Sequence, residues 1–451
     1  MSRMIRTAVM LVLVAVLVAV AALPAQAARP PKAFFGVQPI NTPSEAGYAA
    51  LGKGNIGTFR TSFFWSEIEP APGFFLWGTP DATVRIAAKN GLTIFPVLFG
   101  TPSWAGSQHD RPPMKAGKVS SVDYVKFVRK AVERYGPKGP GAKGAFWKEN
   151  PDLVGAKYRP IRTWQVWNEP NLSQFWPCKQ KGRFCRPVAS QYATFATAAS
   201  KVIKQVDRKA KVALAGLPET KSASPLIPYL TALYKARVGG KSFKNFFDAV
   251  AVHPYARDDR GVKAAVVAVR KVMSKGGDSR TPLFLTEIGW STATKGNRVF
   301  SVGKAGQASR LTKSYRFLTS SLARGRYRVG MAVWFTVQDR SADSTYAQDA
   351  WQRQAGLFDV KGRAKPSWKA LLKFTGGKYT ANIGVGMVGQ SPAPGPGGPG
   401  GDGGSGANPD GDPANGGGGT PVPAGGPDPS PTDPTPTPTP CMDPTGITCP
   451  K

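Results

Sequence analysis

Eight short apolar segments, separated by stretches with helical spacing, limit what this chain can fold into more than any other feature. They fall at 34–38, 56–62, 92–99, 161–167, 212–215, 249–252, 283–286 and 330–335. Segments this short and this continuously apolar suit strands buried on both faces, as in a parallel sheet. Between several of them, as at 122–135, 188–205 and 306–323, apolar residues recur at spacings of three and four, which makes one helical face greasy. Strand followed by crossover helix, repeated eight times, predicts an α/β fold of the (β/α)8 or TIM-barrel type. A doubly wound open sheet is the alternative, but no glycine-rich phosphate loop follows the first segment.

The two ends of the chain read differently. Arg3 and Arg6 precede an apolar run that closes on Ala25-Gln26-Ala27, so residues 1–27 are expected to be a secretory signal peptide, with an uncleaved membrane anchor as the alternative. After cleavage no other stretch is apolar and long enough to span a bilayer. Residues 28–377 are assigned to the barrel. Residues 378–440 lose hydrophobic periodicity and become rich in Gly, Pro and Thr, a composition that cannot bury enough apolar surface to offset its ordering entropy. A tip at 441–451 carries Cys441 and Cys449.

In an exported chain, Cys178 with Cys185 and Cys441 with Cys449 read as two local disulfides. With only His109 and His253 in the sequence, and neither near a cysteine pair, a metal site is not expected. The formal charge of +33 resides in the barrel rather than the tail. It suits an anionic polymer as partner, or else only confers solubility. No nucleic-acid-binding module is recognisable, so nucleic acid is not an expected partner.

Barrel chemistry gathers at the carboxyl ends of the strands. Residues at or just after the eight segments are Arg60, Trp104, Asn168, Glu169, His253, Tyr255, Glu287, Trp290 and Trp334. Glu169 and Glu287 each end a segment, and two carboxylates across a barrel mouth, about 5 Å apart, are the equipment of retaining glycoside hydrolysis. Each glutamate alone has a bland alternative, as partner of a loop arginine or a helix N-terminus.

The ordered motifs Trp167-Asn168-Glu169-Pro170-Asn171 and Thr286-Glu287-Ile288-Gly289-Trp290, with Arg60, His253-Pro254-Tyr255 and Trp334 between and around them, resemble glycoside hydrolase clan A, nearest to families 39 and 5. The resemblance runs from Phe34 to about Gly376. It implies a cofactor-free O-glycosyl hydrolase acting on an extracellular or wall polysaccharide, with Glu169 as acid/base and Glu287 as nucleophile. It further implies that Asn168 binds the sugar 2-hydroxyl, that Arg60 and Tyr255 hydrogen-bond Glu287, and that His253 lines the pocket. Glu169 would rest protonated. Trp334 would form a sugar floor, and Trp104, Trp176 and Trp290 are weaker candidates for platforms. Trp65 is expected to anchor a loop. The chain is expected to act as a monomer. A non-catalytic carbohydrate-binding barrel and a transglycosylase are the competing functions.

Overall fold

A computed structural model describes residues 29–386, apart from 107, 140–143, 179–185, 221–222, 298 and 342–349. The signal-peptide assignment, the tail beyond 386, and Cys185, Cys441 and Cys449 lie outside the described residues.

Eight parallel strands build the sheet: β1 Phe35–Gln38, β2 Thr58–Phe64, β3 Thr93–Phe99, β4 Thr163–Val166, β5 Lys211–Ala213, β6 Val250–His253, β7 Leu283–Ile288 and β8 Val329–Phe335. Neighbours in sequence pair in space, and β8 pairs with β1 through Phe35↔Ala332 and Val37↔Trp334. A parallel bridge between Ala213 and Ala249 joins β5 to β6, and the short segment Leu217–Pro218 continues that contact against Val252 and His253. The sheet therefore closes on itself.

A helix follows each strand: α1 Glu45–Lys53, α2 Gly78–Lys89, α3 Tyr124–Tyr135, α4 Ala189–Val206, α5 Leu226–Lys235, α6 Asp259–Lys275, α7 Gly303–Leu318 and α8 Pro366–Thr375. Their boundaries follow local chemistry. The Ser44 side chain accepts from the Gly47 N–H and that of Asp258 from the Gly261 N–H, satisfying first-turn donors of α1 and α6 at about 1 kcal/mol each. α8 starts on Pro366 and stops at Gly376, whose φ of 71° is left-handed.

Two cores result. One lies between strands and helices, where α7, for example, buries Leu311, Tyr315 and Leu318. The other fills the barrel with Phe95, Ala213, Ala249, Ala251, Phe284, Met331 and Val333, bulky rings interdigitating with alanines. This plug leaves the polar side chains only the upper end of the barrel.

The packed chain continues past 377. Ile383 is fully buried, Lys378 N–H donates to Lys53 O and Ala364 N–H to Ala381 O. One isoleucine among glycines and polar residues gives little periodicity, which is why composition alone places the boundary early. Among the described residues no helix is long and apolar enough to cross a membrane.

Candidate active site

Arg60 is the hub. It lies within β2 rather than at its end, because the strand runs on through Phe63 and Phe64, and its long side chain reaches upward inside the barrel. The guanidinium is fully buried and uses three nitrogens: Nη1 to Glu287 Oε1 at 2.8 Å, Nη2 to Asn168 Oδ1 at 3.0 Å and Nε to Gln165 Oε1 at 3.0 Å. Gln165 then donates to the carbonyl of Trp167 at 3.0 Å. One cation thereby fixes the ends of β4 and β7 relative to each other.

Glu287 is fully buried. Strict alternation along β7 from Phe284, which faces the inner plug, would turn Glu287 outward. The pairing of β7 with β8 shifts register between Leu285 and Ile288, and this irregularity re-aims the side chain. Its other oxygen accepts from the Tyr255 hydroxyl at 2.6 Å. Burial raises the Glu287 pKa above the ordinary carboxylate range, opposed by Arg60, by the Tyr255 hydrogen bond and by Gln38. Burial first, then the Glu287 charge, raises the Tyr255 phenol, which stays protonated as a donor.

Glu169 is also fully buried but sits in different company. Its φ is 44° and that of Trp167 is 68°, two non-glycine residues in left-handed backbone at one strand end. Such conformations cost of order 1–3 kcal/mol each and persist where surroundings over-determine them. Here Trp167 N–H donates to Leu98 O, Glu169 N–H to Gly216 O, and the Trp167 indole to Phe175 O. Asn171 ties the following loop to the carbonyls of Pro218 and Ser224.

His253 stands between the carboxylates. Nδ1 is 2.6 Å from Glu169 Oε1 and Nε2 is 3.4 Å from Glu287 Oε1. Burial, and secondarily the charge of Arg60, lower its pKa well below the usual value, so the ring is neutral. The ring fits because residue 216 is glycine: a Cβ there would lie 1.9 Å from His253 Nε2. One acceptor atom from each of Glu169, His253 and Glu287 falls within 4.8 Å of the others. Arg60 and Tyr255 already occupy the two Glu287 oxygens, so this donor set suits proton sharing better than a divalent cation.

The aromatic side chains are distributed differently from expectation. Along β8, Met331 and Val333 face the inner plug, and the next residue of that parity is Phe335, whose ring lies 6.4 Å from Tyr255. Trp334 has the opposite parity; it packs against Trp290 at 6.1 Å and donates to Ala355 O at 3.2 Å. Trp334, expected as a sugar floor, therefore packs in the outer core, and Phe335 takes the inward-facing position. Trp351, 5.3 Å from Tyr255, extends the same wall with Phe300. Trp290 is buried and donates to Ala256 O. Trp104 is half-buried, donates to Glu69 O and packs edge-on against Trp65, which is the buried anchor expected of it. Trp176 packs among Trp167, Tyr192 and Phe195 in the outer core.

Sequence reasoning missed Gln38, Gln165, Gly216, Phe335 and Trp351. Gln38 ends β1 fully buried, close enough to Glu287 to favour its anion, yet neither polar atom of its amide finds a well-formed hydrogen bond. Asn168 Nδ2 is likewise unpartnered. Buried polar atoms without partners cost about 1–3 kcal/mol each, so these amide atoms hold unmet hydrogen-bonding capacity among the described residues. A crevice of about 300 Å3 opens beside β2, lined by Thr61, Ser62, Glu67 and Leu76, at the rim rather than over the carboxylates.

No protein-family model and no curated protein matches this chain. Solved structures do. The chain resembles a GH39 β-xylosidase from Caulobacter crescentus at TM-score 0.52 and 20% identity, covering 78% of this chain and 73% of that one. It resembles a GH5_18 protein from Bifidobacterium longum subsp. infantis at TM-score 0.51 and 14% identity, covering 78% and 80%. A family 39 glycoside hydrolase from Bacteroides cellulosilyticus is spanned over 64% of its length. These likenesses show the fold, a (β/α)8 barrel like that of the GH39 and GH5_18 structures.

Proposed function

We propose that the protein is a retaining β-glycosidase acting on an oligosaccharide or polysaccharide, with Glu287 as nucleophile and Glu169 as acid/base. The observation that carries this reading is the unequal pairing of two buried carboxylates whose oxygens come within 4.8 Å of each other. That closeness fits the roughly 5 Å carboxyl pair of a retaining mechanism better than the about 6.5–9.5 Å of an inverting one.

Their partners divide the labour. Glu287 receives a cation and a phenol, both of which favour the anion, as a nucleophile requires. Glu169 has a neutral imidazole against its carboxyl. With its single proton on Nδ1, that ring would aim the Nε2 lone pair at Glu287 Oε1. With the proton on Nε2 it points an N–H at Glu287 and accepts at Nδ1 from a protonated Glu169. The second arrangement holds on Glu169 the proton that a leaving group needs, with Nε2 only 3.4 Å from Glu287 Oε1 and not in a well-formed hydrogen bond.

In the first step Glu287 attacks the anomeric carbon as the glycosidic bond breaks and Glu169 transfers its proton to the departing oxygen. In the second, ionised Glu169 takes a proton from water, which displaces Glu287. The unpartnered amide atoms of Gln38 and Asn168 Nδ2 would hold sugar hydroxyls, and Phe335 and Trp351 would present apolar faces to the ring.

The amino-terminal pattern and the Cys178–Cys185 and Cys441–Cys449 spacings support export and local disulfides. The test of the function is a panel of aryl β-glycosides and soluble β-glycans with product anomers followed by NMR. Release of the retained anomer is expected; an inverted first product, or binding without turnover across the panel, would contradict it.

A further inference from the structure

The positive charge is not spread evenly around the barrel. Residues 288–338 contain nine Lys or Arg and no Asp or Glu. This run supplies α7 and the turn at Leu322–Arg326 that follows it. α7 packs between α6 and α8, so the three helices form one continuous outer face. Lys271 and Lys275 of α6, Lys313 and Arg316 of α7, Arg326 of the turn and Lys373 of α8 are all exposed, and none has a carboxylate partner among the described residues.

The opposite side of the barrel has exposed lysines unpaired among the described residues too, Lys89, Lys130, Lys148 and Lys209 among them, but interleaves them with ion pairs. There Arg85 pairs with Asp152, Lys126 with Asp123, Arg134 with Asp81 and Glu149, and Lys204 with Asp248. Unneutralised like charges on one face raise the local potential and disfavour the compact state, a cost that is offset when a polyanion binds.

We infer that the α6–α8 face is a docking surface for a linear anionic glycan, separate from the barrel mouth. The class of partner follows from what the face offers. Its large exposed apolar side chains among the described residues are Leu322 and Tyr379, too little to insert into a lipid surface, and the Tyr379 ring is engaged by the Lys369 ammonium at 4.9 Å rather than offered to stacking nucleic-acid bases. Dispersed lysine and arginine heads on a convex helical surface match instead a flexible chain with a carboxylate or phosphate on each repeat. Such a surface holds substrate-bearing material near the mouth without reading the sugar that is cleaved. The inference does not depend on the catalytic reading.

Polygalacturonate serves as the probe. Its binding to the full chain should weaken steeply between low and high salt, and the variant K313E/R316E/R326E/K373E should bind roughly tenfold or more weakly. Melting temperature and turnover of a small neutral aryl glycoside should stay at wild-type values. A control with the same change in charge on the other side, K89E/K130E/K148E/K209E, should lose little. If reversal fails to fold, the four glutamine replacements are measured instead. Equal losses in both variants would reduce the effect to net charge and overturn the inference. So would tighter binding to duplex DNA or to anionic vesicles than to polygalacturonate, or binding that ignores salt.

Discussion

The ends of β4 and β7 carry the same side chain and treat it in opposite ways. At β7 the backbone is ordinary apart from a register shift, and the Glu287 carboxylate is clamped by Arg60 and Tyr255. At β4 the backbone is strained at Trp167 and Glu169, and the carboxyl meets a neutral ring seated over a glycine. On the proposed reading one site holds a charge and the other a proton. The difference lies in the partners and not in the glutamates, so every way of testing it acts on the partners or on the pair.

The largest effect is expected from Glu287→Ala, which removes the covalent step and should lower kcat on every substrate by about 10^4-fold or more. Steady-state kinetics on the best aryl glycoside measures this; a loss below tenfold would refute the role. Glu169→Ala should cost about 10^2–10^4-fold on substrates with poor leaving groups. On an activated aryl glycoside it should instead show a burst followed by slow turnover, which stopped-flow release of the phenol reports.

Gly216→Ala probes the neutral ring. Its new Cβ must push His253 away from both carboxylates, and a displacement near 1 Å should lower kcat roughly 100-fold with KM little changed. An unchanged kcat would show that the ring is not a positioning group. Tyr255→Phe sharpens the comparison from the other side. The phenol favours the Glu287 anion, so its loss should reduce kcat about 10–100-fold and move the acidic limb of the kcat/KM profile to higher pH. A limb that moves to lower pH would mean that Tyr255 does not stabilise the anion. Gln38→Ala should have the smallest effect of the series, a rise in KM with a modest fall in kcat. Comparison of deoxy-sugar substrates would show which hydroxyl the amide holds.

Much of this was legible in the chain. Apolar runs bounded by helical spacing mark all eight strands to within a few residues, because a parallel strand buried on both faces has little freedom in composition. Glu169, Glu287, Arg60, His253 and Tyr255 stand together as the motifs imply. What escaped detection depends on parity and on absent atoms. β8 offers Trp334 and Phe335 in succession, and only alternation from Met331 and Val333 decides which ring faces the mouth. The register shift that turns Glu287 inward leaves no composition signal. Gly216 matters for the space it leaves to His253, and Gln38 reads as the unremarkable last residue of a short strand. Ile383 alone gave too little pattern to extend the domain to residue 386.

The division of roles is tested most directly by azide rescue of the two glutamate variants on an activated aryl β-glycoside, with the product's anomeric configuration read by NMR. The small anion enters the space of the missing carboxylate and attacks from that side. Glu169→Ala should be rescued and yield a glycosyl azide of the substrate's own β configuration, because the Glu287 intermediate still forms. Rescue of Glu287→Ala instead, giving a β-azide, or rescue of Glu169→Ala giving an α-azide, would contradict the assignment of charge to β7 and proton to β4.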